Sequence, residues 1–340
     1  MKAIPVAEAV GMVLGHDITR IIPGKEKGPA FRKGHIIREE EIPDFLSMGK
    51  ENIFVFDMTP GMIHEDAAAG RLARAAAGQG IRLSEPAEGR VNLIAETNGL
   101  LKIDVDALKQ INSIGQIAFS TLHSCQSVQA GQTVAGTRVV PLTIDEKEII
   151  EAEKTCAAVF PLIQVKAFKS CRVGVVTTGS EVYHGRIKDG FGPVVERKFK
   201  TLGSRVIRQI LVSDDRQMTV NAIHELIEDG AEMIMVTGGM SVDPDDQTPA
   251  SIRAAGGRVI NYGAPIFPGA MFMLATIGDI PVAGLPGCVM YYKTSIFDLV
   301  IPRLLAGEPV TRDDIAAMGH GGLCAGCDVC RYPLCGFGKD

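Results

Sequence analysis

Residues 232–241 read EMIMVTGGMS, and this stretch decides the fold class. Residues 232–236 form a short, almost continuous apolar run, which is typical of a parallel strand buried on both faces. The run ends in a glycine loop, and Pro249 indicates that a helix begins near Thr248. We therefore predict a strand, a loop and then a helix.

The same order recurs on both sides of this stretch. Further strands are predicted at residues 172–176, 206–212 and 280–283, and helices near residues 194–202, 218–227 and 290–305. Strands that alternate with helices indicate an open α/β sheet, and ligands of such sheets bind at the carboxyl ends of the strands.

The first half of the chain has a different pattern. Residues 1–60 contain candidate strands at 10–14, 35–37 and 52–56 and a short candidate helix at 40–46. The alanine-rich residues 62–78 and the residues 144–158 are candidate helices, and a β-rich stretch lies between them. We predict four regions: a small β-rich domain (1–60), a mixed helix and β domain with a linker helix (61–165), an α/β domain (166–312) and a cysteine-rich tail (313–340).

Composition excludes several classes of function. The 340 residues include 35 Lys and Arg against 40 Asp and Glu, a net charge of −5, which argues against nucleic-acid binding. Tryptophan is absent and aromatic residues make up 5%, so base-stacking platforms are not expected. No apolar run approaches the roughly 18 residues of a membrane helix, and no signal-peptide pattern opens the sequence. We expect a cytoplasmic protein.

Three glycine-containing loops follow predicted strands. Glycine lets a ligand approach the backbone, and N–H groups at the start of a helix bind anions such as phosphate. Three such loops on one sheet favour a pocket for a phosphorylated small molecule over simple tight turns. The loops are TTGSE (177–181), TGGMS (237–241) and GLPG (284–287).

Acidic residues accompany these loops. Carboxylates beside a bound phosphate repel it unless a metal ion or a proton intervenes, so their presence suggests Mg²⁺ coordination or acid–base work. The plainer alternative is that these residues cap helices and turns. The acids concerned are Asp189, Asp214, Asp243, Asp245 and Asp246.

The tail holds four of the eight cysteines, with the spacing C-x₂-C-x₂-C-x₄-C. Four thiolates so close together suit a zinc site or an iron–sulfur cluster. Unliganded thiols, or a docking site for a soft metal or a partner enzyme, remain alternatives. The predicted metal ligands are Cys324, Cys327, Cys330 and Cys335.

The motifs TTGSEV, VSDD, VTGGMSVDPDDQTP, PGAM and GLPG occur in this order over residues 171–307. Together they resemble the molybdopterin-binding domain of molybdenum-cofactor biosynthesis proteins. That family includes molybdopterin adenylyltransferases, molybdopterin molybdotransferases and the competence/damage-inducible proteins. Residues 1–165 more loosely resemble the N-terminal domains of the molybdotransferases. The resemblance implies a three-layer α/β molybdopterin-binding domain after a largely β N-terminal region.

The resemblance also implies roles for single residues. It assigns catalysis to Asp214, Asp246 and Glu181. It assigns substrate binding to the loop residues and one further acid, namely Thr178, Gly179, Ser180, Asp189, Thr237, Gly238, Gly239, Met240, Ser241, Pro286 and Gly287.

Three departures from the family pattern bear on the activity. Ser180 stands where molybdotransferases usually carry an acid, and Cys288 follows the GLPG motif where Asn is usual. Cys288 is either a metal ligand or a small buried residue. The C-terminal β-barrel domain of the molybdotransferases is absent from this sequence.

The function that the resemblance implies is binding of molybdopterin or adenylated molybdopterin, with Mg²⁺ and insertion of molybdate by a molybdotransferase-like enzyme. An adenylyltransferase-like activity and a non-enzymatic carrier of finished cofactor are the alternatives, and an unrelated phosphorylated ligand is a third. Implied partners are molybdoenzymes or other cofactor-biosynthesis proteins, and family members often form homo-oligomers.

Overall fold

The structure is a computed structural model that describes residues 2–22, 26–56, 60–243 and 246–339. The chain divides into two compact units. The first contains residues 1–96, 103–122 and 130–164, and the second contains residues 97–102, 123–129 and 165–340. In the described ranges, no helix has the length and apolar character that crossing a bilayer requires.

Short strands dominate the first half of the chain. They are β1 (Lys2–Pro5), β2 (Ile18–Ile22), β3 (Glu26–Phe31), β4 (Asn52–Val55), β5 (Met62–His64), β6 (Ile81–Leu83), β7 (Arg90–Ala95), β8 (Gly99–Ile103), β9 (Ile117–Thr121), β10 (Ser127–Val128), β11 (Thr133–Val139), β12 (Thr143–Asp145) and β13 (Ile163–Ala167). The helices in this half are α1 (Ile42–Ser47), α2 (Glu65–Ala76), α3 (Val105–Asn112) and α4 (Glu146–Val159), with 3₁₀ turns at Val6–Glu8 and Glu39–Glu41.

The first unit differs from the sequence prediction near its start. Residues 10–14 and 35–37 do not form strands but meet through the single bridge Val13 to Ile36, while β4 confirms the third candidate strand. The alanine-rich helix α2 begins at Glu65 because His64 caps it: the His64 ring nitrogen Nδ1 accepts the Asp66 N–H at 3.2 Å. Antiparallel pairs β1–β4, β2–β3 and β5–β12 and the sheet β6-β7-β11-β9 complete the unit.

The second unit is built on a larger sheet. Its strands are β14 (Arg172–Thr178), β15 (Arg205–Val212), β16 (Met233–Thr237), β17 (Arg258–Tyr262), β18 (Met273–Ile277) and β19 (Ile280–Leu285). Its helices are α5 (Ser180–Tyr183), α6 (Phe191–Thr201), α7 (Arg216–Glu228), α8 (Thr248–Ala254), α9 (Cys288–Tyr291), α10 (Ile296–Leu305) and α11 (Arg312–Ala317).

The strand order in this sheet is β15-β14-β16-β19-β18-β17. The four strands β15, β14, β16 and β19 run parallel, as the sequence predicts. The strands β17 and β18 were not predicted, and they extend the sheet in antiparallel fashion. The short turn between β18 and β19 reverses the chain direction within a few residues, which explains the antiparallel pairing of these two strands.

Helices cover both faces of the sheet. Met233 and Met235 of β16 belong to a buried cluster that includes Phe199 of α6 and Phe297 of α10. Ile234 of the same strand belongs to a second cluster with α7 and α8 on the opposite face. Burial on both faces explains the apolar run at residues 233–236, and it confirms the three-layer α/β fold.

The helix predicted over residues 290–305 is two helices. The shorter α9 ends at Tyr291, and α10 begins at Ile296. Ser295 starts the new helix with a capping box: its hydroxyl accepts the Phe297 N–H at 3.3 Å, and its own N–H donates to the Asp298 carboxylate at 2.9 Å. These local hydrogen bonds satisfy the first N–H groups of α10 and separate it from α9.

Candidate functional site

Three loops leave the sheet side by side. In the register of the parallel strands, Thr177 of β14 lies opposite Thr237 of β16, and Thr237 lies opposite Leu285 of β19. The loops that begin at Thr178, Gly238 and Pro286 therefore start at neighbouring points of one sheet edge. This is the arrangement that the sequence predicts for a ligand site at strand carboxyl ends.

The loop after β16 accepts only glycine at its first positions. Gly238 and Gly239 both have positive φ, of 84° and 54°. A Cβ atom on Gly238 would overlap the carbonyl oxygen of Thr178, and one on Gly239 would lie 2.9 Å from the Thr248 hydroxyl. Backbone N–H and C=O groups therefore form the surface of this loop, without side chains to cover them.

Helix α8 holds the same loop in place. The Thr248 hydroxyl donates a hydrogen bond to the Gly238 carbonyl at 2.9 Å, and the Thr248 N–H donates to the Gly239 carbonyl at 3.1 Å. Both carbonyl groups thus point toward the first turn of α8. The loop is fixed before any ligand arrives, which lowers the entropic cost of binding.

The loops after β16 and β19 border a cleft of about 820 Å³ within the second unit. This volume lies in the range of roughly 300–1,000 Å³ that small-molecule sites occupy. The residues that line it are Phe191, Gly238, Gly239, Met240, Ser241, Asp243, Asp246, Phe267, Pro268, Gly269, Ala270, Met271, Pro286, Gly287, Cys288, Tyr292, Leu323, Cys324 and Gly326.

The cleft offers three kinds of chemistry. The glycine loop contributes backbone groups, Phe191, Phe267 and Tyr292 contribute aromatic surface, and Asp243 and Asp246 contribute carboxylates. The lining residues that the structure describes include no Lys, Arg or His. An anionic ligand would therefore depend on backbone N–H groups or on a bound cation rather than on basic side chains.

Half of the fourteen residues predicted for catalysis or substrate binding line the cleft. They are Gly238, Gly239, Met240, Ser241, Asp246, Pro286 and Gly287. The predicted residues that do not line it are Thr178, Gly179, Ser180, Glu181, Asp189, Asp214 and Thr237, most of which belong to the loop after β14 or support it. Asp245 lies outside the described residues.

Asp189 caps a helix. Its carboxylate accepts the N–H groups of Phe191 at 2.8 Å and Gly192 at 2.9 Å, and the Gln209 amide donates to it at 2.7 Å. A carboxylate with three donors has little capacity left for a ligand. Asp189 instead positions Phe191, the first residue of α6, at the cleft.

Asp214 has a similar supporting role. Its carboxylate accepts the Ser180 N–H at 2.8 Å, and the Ser180 hydroxyl lies 2.8 Å from the hydroxyl of Ser213. These bonds connect the loop after β14 to the end of β15. The carboxyl group of Glu181 lies against Gly179, where a Cβ atom would approach it to 3.1 Å.

Thr178 has a buried hydroxyl without a hydrogen-bond partner in the described structure. Its side chain is 7% exposed. The hydroxyl lies beside Gly238 and Gly239, within 3.1 Å of the Cβ position of either glycine. Buried hydroxyl groups are normally paired, so this one is a candidate donor or acceptor for a bound molecule.

Asp243 and Asp246 follow the glycine loop and are joined by two hydrogen bonds. The Asp246 N–H donates to the Asp243 carbonyl at 3.0 Å, and the Asp243 N–H reaches the Asp246 carboxylate at 3.3 Å. Both residues line the cleft. Carboxylate and phosphate oxygens are the kind of ligand that Mg²⁺ takes.

The four tail cysteines have separate surroundings. Cys324 lines the cleft, Cys327 is exposed, Cys330 lies 3.3 Å from the Thr294 hydroxyl, and Cys335 packs against the core. Over the described ranges, no three His, Cys, Asp or Glu side chains are placed to hold a metal ion. The predicted single metal site is thus not assembled, because these cysteines have different neighbours in the fold.

Several lining residues escaped the sequence reasoning. Phe191, Phe267, Tyr292 and Leu323 lie in loops or at helix ends, where an apolar residue carries no periodic signal. The sequence assigns no role to the PGAM motif, and Cys288 is one of its departures from the family pattern. Burial raises the pKa of the Cys288 thiol, so it is a neutral group at neutral pH.

Two family profiles match the chain. Residues 3–57 match a domain of unknown function, DUF8806. Residues 174–306 match the family described as "Probable molybdopterin binding domain". The second match contains the three loops and most of the cleft.

Curated relatives match parts of the chain. A molybdopterin adenylyltransferase of Pyrococcus furiosus is 30% identical over 98 residues, which are 29% of this chain and 57% of that protein. A CinA-like protein of Syntrophus aciditrophicus is 34% identical over 86 residues, 25% of this chain and 20% of that protein. The chain thus spans about a fifth of the length of the CinA-like proteins and little more than half of the adenylyltransferase.

Solved structures with a detectable likeness include MoaB of Pyrococcus furiosus, described as a tungsten cofactor synthesizing protein. It has a TM-score of 0.34 and 20% identity, over 41% of this chain and 97% of that chain. MoaB of Thermus thermophilus has a TM-score of 0.33 and 18% identity, over 41% and 98%. The profile match and the five motifs agree on the same segment: residues 174–306 of this chain are similar to the molybdopterin-binding domain family.

Proposed function

We propose that the cleft binds molybdopterin or adenylated molybdopterin and that the protein inserts molybdate, as a molybdotransferase-like enzyme. One observation carries the proposal. The glycine loop at Gly238 and Gly239, which has no space for side chains, borders the cleft inside the segment that the family profile covers. A surface of bare backbone at strand carboxyl ends suits a phosphate group.

The acidic turn complements this loop. Asp243 and Asp246 line the cleft, and basic side chains are not among its described lining residues. A magnesium ion held by these carboxylates would supply positive charge to a phosphate. The chain itself fixes the glycine loop through Thr248 and offers the unpaired Thr178 hydroxyl next to it. Positioning and electrostatics are therefore the contributions that this site makes.

The apolar part of the cleft suits the rest of the ligand. Phe191 and Phe267 present aromatic surface, and the PGAM segment contributes Pro268 to Met271 along the wall. A flat heterocyclic ring can pack against such groups. A ligand with a ring at one end and a phosphate at the other therefore matches the cleft in both size and chemistry.

An adenylyltransferase activity is the second candidate. The observation that favours it is the relative of Pyrococcus furiosus, which is named a molybdopterin adenylyltransferase and is 30% identical over 98 residues. Asp246 would serve either reaction, since both place phosphate oxygens at the same loop. The N-terminal half of this chain, which more loosely resembles molybdotransferase domains, favours molybdate insertion.

A turnover experiment separates the candidates. Incubation with adenylated molybdopterin, molybdate and Mg²⁺ should release AMP if molybdate is inserted. Incubation with molybdopterin, ATP and Mg²⁺ should release pyrophosphate if the protein is an adenylyltransferase. Tight binding of either pterin without any release of product would support the carrier alternative, and absence of binding would contradict the proposal.

Asp246 provides the variant for this assay. We expect Asp246→Asn, which keeps the size but removes the charge, to lower turnover at least a hundredfold. Asp279→Asn is the matched control, because Asp279 is an exposed aspartate in the turn between β18 and β19. An Asp246→Asn variant with the activity of the control would remove this acid from the reaction.

A zinc ion or an iron–sulfur cluster on Cys324, Cys327, Cys330 and Cys335 stays a prediction of the cysteine spacing alone. Metal analysis and an absorption spectrum of anaerobically purified protein test it. One zinc per chain in a colourless solution would indicate a zinc site, and a brown protein with iron and sulfide would indicate a cluster. Protein free of metal would leave the cysteines as thiols.

A further inference from the structure

The cysteine-rich tail is folded onto the second unit rather than extended from it. Phe337 is 4% exposed and belongs to the core cluster between the sheet and helix α10. The Tyr332 hydroxyl donates to the Asp298 carbonyl at 3.0 Å, and the Gly338 N–H donates to the Gly321 carbonyl at 2.9 Å. The last residues thus close a loop that begins near Gly321.

This loop brings residues 322–326 against the segment that precedes the PGAM motif. The Phe267 N–H donates to the Gly322 carbonyl at 2.8 Å, and the Cys324 N–H donates to the Phe267 carbonyl at 2.8 Å. A Cβ atom on Gly322 would lie 2.5 Å from the Pro265 carbonyl oxygen. The position of Leu323, between these two hydrogen bonds, is therefore set by the backbone.

Leu323 and its neighbours leave apolar surface uncovered at the cleft. The exposed fractions are 75% for Leu323, 59% for Phe267 and 54% for Tyr292, and all three residues line the cleft. Large apolar side chains that cluster in an exposed concave site are typical of ligand-binding surfaces. Their aromatic members favour contact with a flat ring.

We infer that residues 322–326 form a wall of the ligand cleft, and that Leu323, together with Phe267 and Tyr292, binds the flat ring of a phosphorylated heterocyclic ligand. The inference rests on the proposed function for the identity of the ring. The role that it gives to the tail does not depend on the cysteines. Leu323 contacts the ligand through its own side chain, whether or not the tail binds a metal.

The tail itself supplies a matched control. Leu334 is 72% exposed, close to the 75% of Leu323, and it lies in the same tail but does not line the cleft. Leu323→Ser and Leu334→Ser thus remove the same apolar side chain at equal exposure. Neither side chain is part of the core, so both variants should fold, and equal thermal midpoints would confirm this.

The probe is a pterin with a phosphorylated side chain, whose own fluorescence reports binding to the full-length protein. We expect Leu323→Ser to raise the dissociation constant about five- to twentyfold. The substitution removes the apolar contact between the leucine side chain and the ring, and the free energy of that contact corresponds to a change of this size. We expect Leu334→Ser to stay within twofold of the unmodified protein. A purine nucleoside monophosphate serves as a second flat, phosphorylated probe.

The outcomes separate the inference from the proposed function. Equal effects of the two serine variants on pterin binding would overturn the inference and leave the proposed function standing. Binding of the purine nucleotide alone, weakened only by Leu323→Ser, would support the wall and overturn the pterin assignment. Failure of the unmodified protein to bind either probe would overturn both.

Discussion

The loops after β14 and β16 leave the same sheet edge and carry acids of the same kind, yet they use these acids differently. Asp189 in the first loop accepts three hydrogen bonds, and Asp214, which follows β15, accepts the N–H of Ser180 in that loop. In the second loop, Asp243 and Asp246 border the cleft. Carboxylates whose oxygens already accept hydrogen bonds, such as that of Asp189, hold the loops in place. The carboxylates of Asp243 and Asp246 have fewer donors and are available to a ligand or a cation.

The glycines allow the largest test of this comparison. Gly238→Ala places a methyl group at φ 84° and against the Thr178 carbonyl oxygen, which is backbone and cannot move aside cheaply. We expect the free energy of unfolding to fall by about 3 kcal/mol or more. Urea denaturation of the variant measures this.

Gly287→Ala is the control for that measurement. Gly287 also lines the cleft, but its φ is −52° and a Cβ atom there would meet nothing within 4 Å. Its stability without ligand should stay within about 0.5 kcal/mol of the unmodified protein. Equal losses in the two variants would show that the glycine loop is not specially constrained.

Two adjacent acids of the first unit, Glu65 and Asp66, also differ in their surroundings. Burial raises the pKa of Glu65 to about 7, with a further contribution from Asp66. Burial acts in the same direction on Asp66, but hydrogen bonds from Lys33 at 2.8 Å and from the Gly89 N–H at 2.9 Å outweigh it and lower its pKa. Glu65 therefore keeps its proton to a higher pH than an ordinary glutamate, whereas Asp66 loses its proton at a lower pH than an ordinary aspartate.

This difference predicts a pH dependence. The folded state holds the Glu65 proton up to a pKa of about 7, whereas the unfolded chain releases it near 4.5. Stability should therefore fall as pH rises through this window, by about 3 kcal/mol. Glu65→Gln should be more stable than the unmodified protein at pH 8 and equal to it at pH 4. Denaturation at both pH values measures the effect, and a variant that gains nothing at pH 8 would contradict it.

Asp189 gives a smaller effect. Asp189→Ala removes the cap of α6 and leaves two N–H groups and the Gln209 amide without their acceptor. We expect a loss of about 1–2 kcal/mol in the free energy of unfolding. Asp246→Ala, whose carboxylate accepts one long bond of 3.3 Å, should lose less than about 0.5 kcal/mol. If Asp246→Ala were the less stable of the two, the assignment of supporting and open acids would be reversed.

The smallest effect is expected in the tail. Cys327 is exposed and does not line the cleft. Cys327→Ser should leave pterin binding and the thermal midpoint unchanged, and it should lower the metal content only if the four cysteines share a metal. Calorimetry and metal analysis of the same sample measure both properties. A loss of pterin binding in this variant would show that the tail acts through its thiols.

The sequence predicted the α/β sheet because buried strands such as β16 show an uninterrupted apolar run and end in glycine loops. It also predicted the glycine loop, Asp246 and the GLPG loop of the cleft. It did not separate Asp189 and Asp214 from Asp246, because the spacing of acids along the chain says nothing about which N–H groups they meet in space. Leu323 and Phe267 come together only through long-range backbone pairing, which leaves no local pattern.

The hydrogen bonds of Phe267 with Gly322 and Cys324 have a consequence for how freely this segment can vary. Both bonds join backbone atoms, so they do not depend on which side chain stands at position 323. A substitution at Leu323 therefore changes the apolar surface at the cleft while the backbone pairing stays in place.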